Sequence, residues 1–171
     1  MTVRIFQAEK GIGMDEEEVR IFLVNDGRII QIGTVDEKGD PNIHPAWYYF
    51  DPETFKLYFL TGRDSRKKKN LRKTDRIYFN VDTQTWPNKG VRGKGRAQTL
   101  DDRGRKLLFG ERILKRYVKL NHPIAQEVLD SIKNGSEVVI AIIPSYFSTW
   151  DYAKRPEWNE AMLSSGLAEH P

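Results

Sequence analysis

A dense run of basic residues is the part of the sequence best suited to chemistry with an anion. In the stretch TGRDSRKKKNLRKTD, seven of the eleven residues from Arg63 to Lys73 are basic. Ser65 can cap a short helix that runs to about Lys73. Cations in the first turn of such a helix oppose its dipole, at a cost of about 0.3–1 kcal/mol each when exposed. A bound anion relieves that conflict, and main-chain N–H groups, the serine hydroxyl, Arg66 and Lys67 together suit one phosphate.

Two other interpretations of this run stay open on the residues alone. The lysines could form an ordinary solvated helix face, since runs of charge usually face water. A nucleic-acid site also fits the charge, but single-strand binders place stacking aromatic residues among their basic ones, and this run contains none. The sequence also lacks RNA-recognition and zinc-finger signatures. We therefore predict a phosphate-bearing small molecule as the partner, and no nucleic acid.

The elements that precede the run are predicted to be strands. Residues 28–61 read as three strands, and turn residues at 37–40 and 51–54 separate them. Connections this short leave no room for crossover helices, so we expect an antiparallel meander. The basic run follows the third strand, which ends near Thr61.

Three more strands are predicted beyond the run. They lie at 75–83, 91–100 and 136–152, and Gly93 and Gly95 indicate a bulge or bend in the first half of the middle one. Six or so strands suit a closed or split barrel, because closure removes exposed sheet edges. The predicted fold class is mainly β with helices, an antiparallel split β-barrel.

Helices are predicted at two places outside these strands. The first begins at Asp15, which can cap it, and Gly27 supplies its end. An inserted helical pair occupies about residues 102–133, and its second member ends at Gly135. The pair is longer than a minimal barrel needs, and the sequence does not choose between a lid, a dimer contact and ordinary packing.

The composition is that of one ordinary domain. The chain has 171 residues and no cysteine, and 28 Lys and Arg against 24 Asp and Glu give a formal charge of +4. No apolar run approaches the roughly 18 residues that a membrane span needs. We therefore expect a single domain, 1–171, in the cytoplasm and without a membrane partner.

The order of the segments resembles a known family. HPAWYYFDPETFKLYFLTGRDSRKKKNLRKTDRIYFNVD, followed by VRGKGRAQTL, is similar to the flavin-binding split-barrel family typified by pyridoxamine 5'-phosphate oxidase and its deazaflavin-binding relatives. The similarity covers about residues 28–100, with a weaker echo at PSYFSTWD. Its most specific part is the strand, the TGRDSRKKKNL turn and the following strand, in that order.

The resemblance implies a homodimer that binds FMN at the subunit interface and acts on a small-molecule substrate. The basic turn would hold the FMN phosphate, with Arg66 and Lys67 as the phosphate-binding pair and Arg63 and Lys68 as helpers. The backbone of residues 45–50 would lie along the isoalloxazine ring. The cofactor-binding residues implied in this way are Pro45, Ala46, Trp47, Tyr48, Leu60, Thr61, Ser65, Arg66, Lys67 and, reaching across from the second subunit, Trp150.

Some departures separate the chain from the pyridoxamine oxidases themselves. Pro45 stands where those enzymes have an Arg for the phosphate, and Phe50 stands where they have a Lys. The C-terminal tail also lacks their repeated arginines. We therefore predict an FMN-dependent oxidoreductase of unassigned substrate rather than an oxidase of pyridoxamine phosphate.

Two alternatives to this function stay open. The same turn could hold the phosphate of a deazaflavin coenzyme, with Lys89, Arg92 and Lys94 available for its oligoglutamate tail, or the protein could bind flavin without turnover. No catalytic residue is predicted, because a flavin supplies the chemistry itself. His44 and His122 are too isolated to suggest a metal site, and His44 is expected to end a strand rather than to contact substrate.

Overall fold

The computed structural model describes residues 3–25 and 27–165. This part of the chain contains eight strands and five α-helices. The strands are β1 (Arg4–Gln7), β2 (Ile30–Val35), β3 (Pro41–Ala46), β4 (Tyr48–Asp51), β5 (Lys56–Gly62), β6 (Arg76–Asp82), β7 (Lys89–Thr99) and β8 (Glu137–Asp151). The helices are α1 (Glu16–Val24), α2 (Arg66–Lys73), α3 (Arg103–Lys115), α4 (Pro123–Asn134) and α5 (Pro156–Ser164). None of these helices is long and apolar enough to cross a membrane.

The strands form one curled sheet in the order β3-β2-β6-β7-β8-β5-β4, and β1 adds to β8 as a parallel strand. The two end strands, β3 and β4, are joined in the chain by Trp47 alone. Because one residue cannot span an open sheet, the sheet must curl until its ends meet at Trp47. The predicted antiparallel split barrel is therefore confirmed, with a split between β3 and β4.

The strand predictions need two corrections. Residues 41–51 form two strands that pair with different neighbours, β3 with β2 and β4 with β5, where the sequence predicted one strand. The expected meander is also wrong at β5, which pairs with β8. Strand β1 was not predicted, because four residues with no alternating pattern give no strand signal.

Helix α1 follows its sequence signals closely. The Asp15 carboxylate accepts from the main-chain N–H of Glu18, and the Glu18 side chain accepts in return from the N–H of Asp15, which completes a capping box. Its apolar side chains, Val19, Phe22 and Leu23, are buried in the barrel core. The predicted start of this helix is confirmed.

The long pair β7 and β8 contains the predicted bulge. Their register shifts between Lys94 and Gly95. A Cβ atom at Gly95 would lie 2.4 Å from the carbonyl oxygen of Ile143 on β8, and one at Gly93 would lie equally close to that of Tyr146. These two glycines let the strands approach where the sheet bends.

Helices α3 and α4 occupy the region of the predicted helical pair and cover the outside of the barrel. Phe109 of α3 stacks on Tyr58 of β5, with 3.7 Å between ring centroids. Leu129 and Ile132 of α4 belong to a cluster against which Trp47 packs. The helical pair therefore packs over the split in the barrel.

Candidate functional site

The turn between β5 and α2 leads into a serine-capped helix start. Ser65 caps α2, and its Oγ accepts from the main-chain N–H of Lys68 at 3.3 Å. The Oγ atoms of Thr61 and Ser65 lie 2.7 Å apart and share a hydrogen bond. The first turn holds no acidic residue to balance the helix dipole. The predicted short helix and its serine cap are thus confirmed.

A cleft opens beside this helix start and brings together five of the ten residues implied by the resemblance. We call it the α2 cleft; its volume is about 280 Å³, and it is lined by Trp47, Leu60, Thr61, Gly62, Ser65, Lys67, Val128 and Glu137. Its walls are apolar on the side of α4 and polar at the helix start. This arrangement suits an amphipathic ligand with an anionic end.

Lys67 and Glu137 are the two charged side chains of the α2 cleft. Both are partly buried, and burial lowers the pKa of Lys67 and raises the pKa of Glu137 because each charged form loses hydration. Each charge partly offsets the shift of the other. Sequence reasoning missed Glu137, because only the pairing of β5 with β8 places it opposite Gly62, at the mouth of the turn.

Arg66 lies on a different side of α2 from Lys67. Its side chain is exposed and faces the β2–β3 hairpin, where Nη1 donates to Oδ1 of Asn42 at 3.4 Å. It lines a second, more polar depression there with Asp36 and Lys69. The structure therefore separates the two side chains that the resemblance assigns to one phosphate.

His44 interacts electrostatically with both of these cations. Burial lowers the pKa of its imidazole, and the charges of Lys67 and Arg66 lower it further. Its Nε2 atom is buried and has no hydrogen-bond partner within the described residues. A buried polar atom without a partner is costly, so this nitrogen is a candidate to bind a ligand.

Arg63 and Lys68, the two residues predicted to assist phosphate binding, form hydrogen bonds within the protein. The Nζ atom of Lys68 donates to Oγ1 of Thr99 at 2.8 Å, and Nε of Arg63 donates to the carbonyl oxygen of Gly135 at 2.5 Å. These bonds fix the turn against β7 and against the end of α4. Their positions favour a structural role for both side chains.

The strand residues predicted to lie along a flavin ring differ in how deeply their side chains are buried. Pro45 is exposed and Ala46 is partly buried, both at the end of β3. Tyr48 is fully buried, its hydroxyl donates to the carbonyl oxygen of Leu23, and burial raises its pKa to about 12. None of these three residues lines the α2 cleft.

Trp47 stands at the break between β3 and β4 and forms one wall of the α2 cleft. Its indole stacks on Tyr117, with 4.9 Å between centroids and 6° between ring planes. The Tyr117 hydroxyl accepts from the N–H of Tyr48 and donates to the carbonyl oxygen of Arg28. The break in the strand is thus braced by a residue that follows α3, which gives this wall a fixed position.

Trp150 lies at the opposite end of β8 from Glu137. Its Nε1 donates to Oδ1 of Asn88 at 2.5 Å, and its ring covers Gly90. The Arg92 guanidinium lies 5.9 Å from the ring centroid. Within one chain, Trp150 is not part of the α2 cleft.

Comparison with known proteins gives the class to which this fold and site belong. Residues 15–151 match the family described as pyridoxamine 5'-phosphate oxidase, and the chain therefore belongs to that family of flavin-binding split-barrel proteins. No curated protein shows a significant match.

Solved structures show the same fold at low sequence identity. The conserved hypothetical protein Rv2991 from Mycobacterium tuberculosis is 24% identical, with a TM-score of 0.73 over 85% of this chain and 90% of that one. An F420 reductase is 21% identical, with a TM-score of 0.58 over 74% and 93% of the two chains. A FAD-binding protein from Mesorhizobium loti is 19% identical, with a TM-score of 0.58 over 80% and 94%.

Proposed function

We propose that this chain is an FMN-binding oxidoreductase that holds the cofactor phosphate at the start of α2. The proposal rests on one observation. A serine-capped helix start and Lys67 share a single cleft with an apolar wall that is formed by Trp47 and Leu60. The helix start itself fits a phosphate, because its first turn contains no acidic residue. The unpartnered Nε2 of His44 is a further candidate hydrogen-bonding atom.

The chain's own residues would bind and shield the cofactor. Main-chain N–H groups at the start of α2, the hydroxyls of Thr61 and Ser65 and the Lys67 ammonium would hold the phosphate. Trp47 and Leu60 would exclude water from the ring. A bound flavin supplies hydride and electron transfer, so the substrate is a small organic molecule that the protein orients against it.

The direct test of this proposal is the cofactor that accompanies the purified protein. We expect the protein purified without added cofactor to be yellow, and mass spectrometry of the released compound to give the mass of FMN. Riboflavin serves as the matched control, because it lacks only the phosphate and should bind more weakly. A colourless protein that also fails to bind added FMN contradicts the proposal.

A deazaflavin coenzyme is the second candidate cofactor. The structural similarity to an F420 reductase supports this alternative. Of the basic residues available for its oligoglutamate tail, Arg92 is exposed and Lys94 partly so. Lys89 is less suitable, because its Nζ pairs with the buried Asp151 carboxylate at 2.9 Å. Parallel titrations with FMN and the deazaflavin coenzyme separate the two cofactors, and a flavin that no donor or substrate reduces would indicate binding without turnover.

We further propose that the chain works as a homodimer through the outer face of the sheet. An open groove of about 660 Å³ crosses this face, and Phe6, Ile43, Tyr78 and Tyr146 line it. Ile43 is 72% exposed, and together with the exposed Phe6 and Tyr78 it forms an apolar patch of the kind that marks interaction sites. The α2 cleft alone is slightly smaller than the roughly 300–1,000 Å³ of typical ligand pockets, so a second subunit that brings its own Trp150 would complete the site.

Replacing Ile43 with aspartate is expected to convert the dimer into monomer, because the charge would have to be buried without a partner in the interface. Sedimentation velocity of the wild-type protein and the variant at equal concentration measures this change. Ile21→Asp is the matched control, since Ile21 is 57% exposed on α1, away from the groove. A wild-type monomer, or equal effects of the two substitutions, contradicts the proposed interface.

A further inference from the structure

The α2 cleft contains a carboxylate that is unsuited to a site for a phosphate. Glu137 lines the same cleft as Thr61, Ser65 and Lys67 and is partly buried there. It begins β8 directly opposite Gly62, in the register of the β5–β8 pair, so its main chain is fixed by the sheet. Its side chain therefore stays near any ligand at the start of α2.

Among the described residues that line the α2 cleft there is one cation, which is too little positive charge to neutralise both the Glu137 carboxylate and a phosphate. Lys67 of α2 is the cation that faces it within the cleft. Arg63, in the turn after β5, is bound to the carbonyl oxygen of Gly135. On α4, Lys133 pairs with Asp130 at 2.8 Å and both are exposed, while Val128, also on α4, contributes no charge.

We propose that Glu137 competes with the cofactor phosphate for Lys67, so that phosphate binding is accompanied by protonation of the Glu137 carboxylate. This inference rests on the proposed function and adds a pH-dependent control of the same site. Burial already raises the pKa of Glu137, and Lys67 opposes that shift. A phosphate that engages Lys67 removes this opposition and adds a second negative charge, so both changes favour the protonated acid.

The sign of the pH dependence follows from this linkage. Where the complex binds one more proton than the free protein, affinity falls as pH rises through the pKa of the free Glu137 carboxyl and above it. The phosphate has its own ionisation near pH 6, and His44 also titrates. Both of these contributions are common to the wild-type protein and to Glu137→Gln. The ratio of their dissociation constants therefore isolates Glu137.

The experiment measures FMN and riboflavin binding by flavin fluorescence from about pH 5, just above the ordinary carboxyl pKa, to about pH 8.5. At the alkaline end, Glu137→Gln should bind FMN roughly tenfold more tightly than wild type, as expected for removal of one partly screened charge. The ratio should fall towards one at the acidic end. Riboflavin, which has no phosphate, should bind both proteins equally at every pH.

Two further variants serve as controls for this experiment. Glu137→Ala should also tighten FMN binding, which guards against an artefact of the glutamine. Glu127→Gln removes an exposed carboxylate from α4 and should leave the FMN dissociation constant unchanged, which controls for net charge. A wild-type protein that binds FMN while the Glu137→Gln ratio stays at one, or while the variant binds more weakly, overturns the inference alone. A wild-type protein that binds neither flavin overturns the proposed function, and this inference with it.

Discussion

Replacing both Arg66 and Lys67 with alanine is expected to weaken FMN binding roughly a hundredfold, or by about 3 kcal/mol, because hydrogen bonds to charged groups contribute about 1.5–3 kcal/mol each. The structure also predicts which of the two single variants should lose more affinity for FMN. Lys67 already lines the α2 cleft, whereas Arg66 is bonded to Asn42 and has to turn to reach it. Lys67→Ala should therefore lose more affinity than Arg66→Ala, as isothermal titration of each variant with FMN would measure.

A matched control for this prediction lies on the same helix. Lys69→Ala with Lys73→Ala removes the same charge from exposed positions of α2, neither of which lines the α2 cleft. This pair should change the FMN dissociation constant only slightly, because exposed charges are screened by salt. Equal losses from the two double variants would mean that the helix attracts FMN through its overall charge and that the phosphate does not bind at Ser65 and Lys67.

The local parts of the fold were readable from the sequence. Asp15 and Ser65 mark the starts of α1 and α2, because a side-chain cap acts within a few residues. Gly135 ends α4 with φ +84°, a left-handed conformation that favours glycine. These signals need no knowledge of the tertiary structure, and the structure confirms each of them.

The pairing of distant strands was not readable in the same way. Nothing in residues 56–62 indicates that β5 pairs with β8 about eighty residues later in place of β6. The break at Trp47 is equally hard to predict, since the alternation of more and less buried residues along 41–51 continues through it. Both features follow from closure of the barrel, which depends on all strands at once.

The residues of the candidate site likewise include some that the sequence could place together and some that it could not. Thr61, Ser65 and Lys67 belong to one continuous turn, so the sequence placed them together, and the structure does so too. Glu137 comes from a distant strand and was missed. The orientation of Arg66 was also beyond the sequence, because adjacent residues on a helix point about 100° apart and only the position of the β2–β3 hairpin decides what each one meets.

The family resemblance contributes a different kind of information from the local signals. It implies FMN, a dimer and the ten residues of a complete site, but one fold supports many activities. The departures at Pro45 and Phe50 concern residues that would contact a substrate or phosphate directly. Neither an uncharged proline nor an uncharged phenylalanine restores the missing charge; Pro45 is exposed at the end of β3, and Phe50 is fully buried in the core. The chemistry of the α2 cleft is therefore the better guide to function.

Replacing Gly93 with alanine is expected to destabilise the protein by about 1–3 kcal/mol, as overpacking of a well-packed core does. A Cβ atom there would lie 2.4 Å from the carbonyl oxygen of Tyr146 and 2.5 Å from the Phe79 ring. Phe79 is 3% exposed and the carbonyl belongs to the β8 backbone, so neither can move away easily. The β7–β8 pair would have to separate, as urea unfolding would detect.

The same substitution at Gly104 should have the opposite sign. Gly104 lies in the first turn of α3, and the nearest atom to an added Cβ is Oδ1 of Asp102 at 3.5 Å, an ordinary contact. Alanine should stabilise this helix by about 0.5–1 kcal/mol, because it loses less conformational entropy on folding than glycine does. Equal effects at the two positions would show that the close approach of β7 to β8 does not require glycine at position 93. A difference in sign would establish that the bend of the barrel depends on the missing side chain.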